Sequence, residues 1–151
     1  MNQSRIRPLA ICLFRNKEWI LVVEGHDHIK NEYFYRPVGG GIEFGEYSHQ
    51  TIQRELREEI GAEVKDIRYL FTLENIFVYN GETGHEIVLV YDGEFADPKL
   101  YERKSLDGQE DNGLPFVAVW KSLSEFGPGR KILYPNGLWE QLQAGLQARG
   151  N

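Results

Sequence analysis

Three consecutive glycines, Gly39 to Gly41, stand just upstream of a helix-forming segment that carries Glu55, Glu58 and Glu59. That juxtaposition limits the structures open to the chain. Glycines accept backbone conformations that other residues resist, so the run 39–41 is expected to break regular structure. Ser48 is the expected cap of a helix that runs to Ile60, and Gly61 suits its left-handed C′ position. Ile52, Leu56 and Ile60 form the stripe that this helix must bury. At about 100° per residue and with Ile52 at zero, Glu59 falls at roughly −20°, Glu55 at roughly −60° and Glu58 at roughly −120°. The acids therefore form a band that begins at the edge of the apolar stripe. Glu59 is the most informative, because its position should be partly buried. A buried carboxylate must be paired, protonated or metal-bound. Arg57 points away and should be solvated, whereas Arg54 lies one turn before Glu58 and can orient it.

The acids cluster in a chain that is already acidic. The formal charge is −6, from 23 acids against 17 bases, and half of that excess lies between residues 40 and 62. Such a cluster repels itself unless a cation occupies it, and a divalent metal beside a glycine loop suggests phosphate chemistry. A glycine carbonyl is a hard oxygen ligand suited to Mg²⁺. Glu43 and Glu46, in the turn before the helix, could each add a ligand or pair with Arg54. A solvated helix face would explain a lone Glu-Glu pair. It does not explain the glycines, the spacing and an acid at the core edge together. The acidic balance also argues against nonspecific binding to a nucleic-acid backbone.

The 151 residues suit one domain with a real core. A single cysteine, Cys12, excludes an internal disulfide framework and reads as a buried packing residue. The apolar run Leu9 to Phe14 is too short for a signal peptide or a membrane span, so a cytoplasmic protein is expected.

Residues 5–14 and 18–24 read as strands joined by a hairpin turn at Asn16-Lys17. Gly25 to Asn31 reads as a polar loop and Glu32 to Val38 as an aromatic-rich strand. Residues 63–79 carry β-type sequence before the turn signal Asn80-Gly81. Glu86 to Phe95 is a strand whose two faces are both apolar enough to be buried. Ser105 to Leu114 reads as a loop and Phe116 to Trp120 as a short strand. Pro135 is the expected first residue of a final helix with Leu138, Leu142 and Leu146 one turn apart. Strands and helices interspersed in this way predict an α/β (α+β) protein with a mixed sheet packed between helices.

The segment Gly40 to Ala62 resembles the signature of the Nudix hydrolases (MutT-like proteins), G-x5-E-x7-R-E-U-x-E-E-x-G-U, where U is a bulky aliphatic residue. Gly40, Glu46, Arg54-Glu55-Leu56, Glu58-Glu59-Ile60-Gly61 occupy the pattern; only Ala62 is smaller than usual. Many members carry Pro-Gly-Gly where this chain inserts Val38 after Pro37. The resemblance implies the family's α/β/α sandwich over a single domain, residues 1–151. It also implies metal-dependent hydrolysis of the pyrophosphate of a nucleoside diphosphate linked to another group, with water attacking phosphorus. By the same resemblance Glu55, Glu58 and Glu59 are metal ligands, with the Gly39 or Gly40 carbonyl as another. Mg²⁺ is the expected cofactor, with Mn²⁺ as the alternative. Glu55 could instead orient or deprotonate the water, and Arg54 would hold the carboxylates by charge-assisted hydrogen bonds.

The family often takes its general base, or a further ligand, from outside the signature. The candidates here are Glu110, Asp111 and Glu86. Glu110 is favoured, because members often carry this residue on a loop before a strand that ends in Trp, here Trp120. Tyr33, Phe34, Tyr35, Phe77 and Tyr79 are candidates for stacking on a base, although such residues more often fill a β core. His26, His28 and Lys30 are candidates for a loop covering the site, and His85 for a contact with phosphate or metal. The expected partner is a small nucleotide rather than a nucleic-acid polymer or a membrane. Members are frequently dimers, so a homodimer is compatible, but no interface stripe is evident. The alternative is a nucleotide-sensing module on the same fold without turnover.

Overall fold

The computed structural model describes residues 4–149. β1 (Ile6–Leu13) lies parallel to β6 (Glu82–Phe95) and antiparallel to the end of β4 (Glu32–Gly41), the middle strand of the sheet. β5 (Val64–Tyr79) flanks β6, completing one half of a mixed sheet. The other half is β3 (Trp19–Asp27), β8 (Pro115–Ser122) and β7 (Ser105–Gln109). Two short strands, β2 (Arg15–Asn16) and β9 (Ile132–Leu133), pair with β3 and β4.

β4 joins the halves by changing partners in mid-course. It pairs with β3 from Glu32 to Pro37 and with β1 from Val38 to Gly41. A cleft opens where the halves diverge, with Leu9 and Val88 on one side and Val23 and Phe116 on the other.

Side-chain alternation along β1 then dictates two cores. Ala10, Cys12 and Phe14 join Ile52 and Leu56 of α1 (Ser48–Ile60). Ile11 and Leu13 join Leu138 and Leu142 of α2 (Leu138–Arg149) on the opposite face. The result is the expected α/β/α arrangement. β6 is likewise covered on both sides, Val88 and Val90 towards α2 and Tyr91 and Phe95 towards α1. Full burial of Ile52 and Leu56 stabilises the α1 docking by roughly 1.5–3 kcal/mol each. Cys12 is wholly buried, and burial pushes its thiol pKa up. No described helix is long and apolar enough to cross a membrane.

Several elements differ from the sequence expectations. The glycines 39–41 do not leave the strand; they are its paired C-terminal part. Gly39 is needed there on two counts: its φ is 155°, which side chains rarely adopt, and a Cβ would lie 2.2 Å from the Ala10 carbonyl oxygen. β3 continues to Asp27 instead of ending before Gly25, and β7 occupies 105–109, which was expected to be loop. One device explains both. Phe34 lies over its cross-strand partner Gly25, and Phe116 over Gly108, each ring filling the missing side chain's place. Phe77 covers Gly84 in the same way, which starts β6 at Glu82 rather than Glu86.

The early hairpin joins β2, not β1, to β3, and it turns at Lys17-Glu18. Residue 47, not Ser48, is the N-cap of α1: the Gln50 side chain accepts the Tyr47 backbone N–H at 2.8 Å. Ser48 hydrogen-bonds the Tyr91 hydroxyl instead. Gly61 ends α1 with φ 74°, as expected. Asn80-Gly81 forms a turn with φ 49° and 82°. The last helix begins at Leu138, three residues after Pro135, and the side chain of Leu146 lies outside the described residues.

Candidate active site

Arg54 organises the start of the site. Its guanidinium donates to Glu46 at 2.8 and 3.0 Å, to Glu55 at 2.9 Å, to Glu58 at 3.3 Å and to the Gly41 carbonyl at 3.0 Å. One rigid cation thus ties the strand, the turn and two turns of α1 together. Glu46 also accepts from the Thr51 hydroxyl at 2.6 Å and the Glu43 backbone N–H at 3.2 Å. The Arg54 hydrogen bonds hold its carboxyl down to a pKa of about 2. Of the two uses open to Glu46, pairing with Arg54 is the one it has. Glu43 lies 3.6 Å from the same guanidinium but is exposed. Arg57 pairs with Glu63 on the surface and takes no part.

Glu55 is 2% exposed, and its position depends on Gly40. A Cβ at Gly40 would lie 2.4 Å from the Glu55 carboxyl carbon, so only glycine lets the helix acid rest against the strand. Glu55 Oε1 is bound by Arg54, but Oε2 is buried without a hydrogen-bond partner among the described residues.

Glu59, one turn on, is partly buried, as its place on the helix predicts. Burial and the neighbouring Glu55 carboxyl push its pKa up to about 9. A like charge this close disfavours the ionised form of Glu59, and a cation between the two would favour it.

Asp111, from the loop after β7, completes the cluster. Oxygens of Glu55, Glu59 and Asp111 all lie within 4.8 Å of one another. Three hard oxygen donors on residues that include a carboxylate with an orphaned buried oxygen fit a divalent ion such as Mg²⁺ or Mn²⁺. Glu58 is on the exposed side of α1, and Arg54 links it to Glu55.

The loop acids separate. Glu110, favoured on sequence, lines the cleft beside Arg36 at 3.4 Å, whereas its neighbour Asp111 joins the carboxylate cluster. Glu86 lines a different part of the cleft, near Asn75 and Arg7.

The cleft has a volume of about 320 Å³. Its aromatic residues are Phe116 and Tyr134, not the five candidates from sequence. Tyr35 is buried beside Phe126, while Phe34 and Phe77 cover glycines and pack on Tyr134. His26, His28, Lys30 and His85 do not line the cleft; His26 and His28 instead interact with each other where β3 enters the β3–β4 turn. The cations Arg7 and Arg36 and the buried Asn75 were missed. An asparagine inside an apolar strand sequence was the available signal for Asn75.

The chain is similar to known proteins in sequence and in fold. Residues 5–137 match the family model described as NUDIX domain. A NAD-capped RNA hydrolase NudC of Mycobacterium tuberculosis is 29% identical over 136 residues, which are 89% of this chain and 42% of that protein. The namesake of Vibrio vulnificus is 35% identical over 69 residues, 46% of this chain and 26% of that one. The chain thus spans less than half the length of these relatives. A NUDIX hydrolase from Nitrosomonas europaea has a similar fold, with a TM-score of 0.61 at 20% identity over 96% of this chain and 90% of that one.

Proposed function

The chain belongs to the NUDIX domain family, and from that premise we propose that it is a divalent-metal-dependent nucleotide pyrophosphohydrolase. Its substrate is a nucleoside diphosphate linked to another group. The observation that carries the proposal is the carboxylate cluster of Glu55, Glu59 and Asp111, in which Glu55 Oε2 is buried without a hydrogen-bond partner among the described residues.

Glu55, Glu59 and Asp111 would hold the metal, with Glu58 and the Gly40 carbonyl as further ligands. Mg²⁺ is the expected ion and Mn²⁺ the alternative. When bound, the ion neutralises phosphate charge and acidifies water. Arg36, on the cleft wall, attracts and orients the diphosphate. Glu110 accepts the proton of the attacking water at a carboxylate oxygen, and the Arg36 guanidinium 3.4 Å away holds that side chain over the cleft. Water forms a bond to one phosphorus as the bridging P–O bond breaks, and each product keeps one phosphoryl group of the cleaved linkage. Arg54 positions Glu55 and Glu58 without touching substrate. A net charge of −6 favours a small nucleotide over a polymer.

Product formation from a nucleotide panel tests this reading. The panel holds nucleoside triphosphates, ADP-ribose, nucleotide sugars, NADH, diadenosine polyphosphates and a NAD-capped RNA. Cleavage of a small nucleotide that requires Mg²⁺ or Mn²⁺ and is abolished in Glu59→Gln is the expected result. Nucleotide binding without turnover of any substrate would replace the enzyme with a sensor.

A further inference from the structure

Arg7, Glu86 and Asn75 stand in a row across β1, β6 and β5. Glu86 faces Arg7 in the parallel pair and Asn75 in the antiparallel pair. All three line the cleft, and so do Leu9 and Val88, paired two residues further along β1 and β6. One wall therefore carries a polar row followed by an apolar one. Asn75 is 4% exposed. Its Oδ1 accepts the Asn136 backbone N–H at 3.1 Å, which turns its amide NH₂ towards Glu86 Oε1 at 3.4 Å. Glu86 is also largely enclosed, and its other oxygen is 3.7 Å from Arg7, too far for a hydrogen bond. This end of the cleft therefore holds an oriented donor and a carboxylate, neither firmly satisfied. Hydrolysis at the metal cluster uses neither of them.

We propose that Asn75 and Glu86 read the base of the nucleotide and select guanine. From the Asn75 end of the row the protein offers one donor, the Asn75 amide, and then the two acceptor oxygens of Glu86, the second of them 3.7 Å from the Arg7 guanidinium that closes the row. Guanine presents the matching order on one edge: the O6 acceptor, the N1–H donor and the N2 amino donor. Adenine and cytosine offer a single amino group beside an acceptor, which leaves one carboxylate oxygen unpaired. Uracil and thymine set a carbonyl against that oxygen. A site built to hydrogen-bond a given edge rejects ligands lacking it, because its own enclosed polar groups are then stranded. Leu9 and Val88 supply the apolar surface for the face of the base.

The inference rests on the proposed function only in taking the cleft as the nucleotide site. Calorimetry with GDP, ADP, CDP and UDP in the presence of Mg²⁺ tests it, with turnover of the nucleotide panel followed in parallel. GDP is expected to bind at least about tenfold more tightly than the other three, and Glu86→Gln to lower the GDP-to-ADP affinity ratio by about tenfold or more. Asn75→Ser, which removes the amide donor, gives a second measure of that ratio if Glu86→Gln folds poorly. Equal affinities, a preference for another base, or a ratio unchanged in both variants would overturn it. Guanine selectivity without metal-dependent cleavage of any nucleotide in the panel would instead refute the hydrolase reading and leave the base reading standing.

Discussion

The two helices cover opposite faces of one sheet and are built on opposite terms. α2 presents Leu138 and Leu142 to Ile11, Leu13, Val88 and Val90, a core of apolar contacts. α1 buries Ile52 and Leu56, but in the same turns it also encloses Glu55 and much of Arg54. Burying charge opposes folding unless each charge is paired, so an acid left with an orphaned oxygen destabilises the metal-free protein. The difference teaches where stability and chemistry reside. On the α2 face a side chain matters for the volume it fills. On the α1 face it matters for the charge it carries, and the apolar stripe holds that charge in place.

Separating activity from stability is the sharpest way to break this contrast. Glu55→Gln and Glu59→Gln are expected to lower kcat by about a thousandfold while leaving the metal-free melting temperature unchanged or higher. Steady-state kinetics with thermal melts in EDTA would check both, and a melting temperature that falls with activity would erase the distinction. Arg54→Ala should act on both properties at once. It strands Glu46 and Glu55 in an enclosed site, at a cost of about 3–5 kcal/mol in urea unfolding, and it lets Glu55 and Glu58 drift. Leu142→Ala on the other face should cost about 2–5 kcal/mol through its cavity, with kcat within about twofold below the melting transition. If Leu142→Ala lowered kcat as far as Glu59→Gln does, the two faces would not be independent.

What could be read from the sequence divides along a related line. α1 was legible because its apolar stripe, its acids and Gly61 are local signals with helical spacing. The place of Glu59 at the core edge followed from the same arithmetic. Glu55 was harder: it is more buried than Glu59 because Gly40 on a different element makes room for it. The strands were misread at Gly25, Gly84 and Gly108 for a comparable reason. Each glycine looks like a breaker in its own segment and becomes a strand residue only when a phenylalanine on the neighbouring strand covers it. The row Arg7–Glu86–Asn75 joins residues from three strands, and only the register brings them together. Local chemistry was visible; chemistry assembled across strands was not.

The smallest expected effect is also the most specific to the α1 face, and it concerns pH. Glu59 releases its proton near the ordinary value of 4.5 in the unfolded chain but holds it to about 9 when folded without metal. Between those values the folded protein binds more protons than the unfolded one, so stability falls as pH rises, by at most about 1.4 kcal/mol per pH unit. Glu46 has the opposite sign. Its depressed pKa of about 2 adds stability that is present above 4.5 and is lost only on acidification below it. The range from about pH 6 to pH 8 therefore isolates Glu59 from Glu46. Urea midpoints in EDTA should decline across that range in the wild type and flatten in Glu59→Gln. Millimolar Mg²⁺ should remove the decline as well, since a cation on the cluster favours the ionised carboxylates that the empty site disfavours. A wild-type slope that persists in Mg²⁺ would mean that the proton and the metal do not compete for the same carboxylates. The charge buried under α1 would then need an explanation other than metal binding.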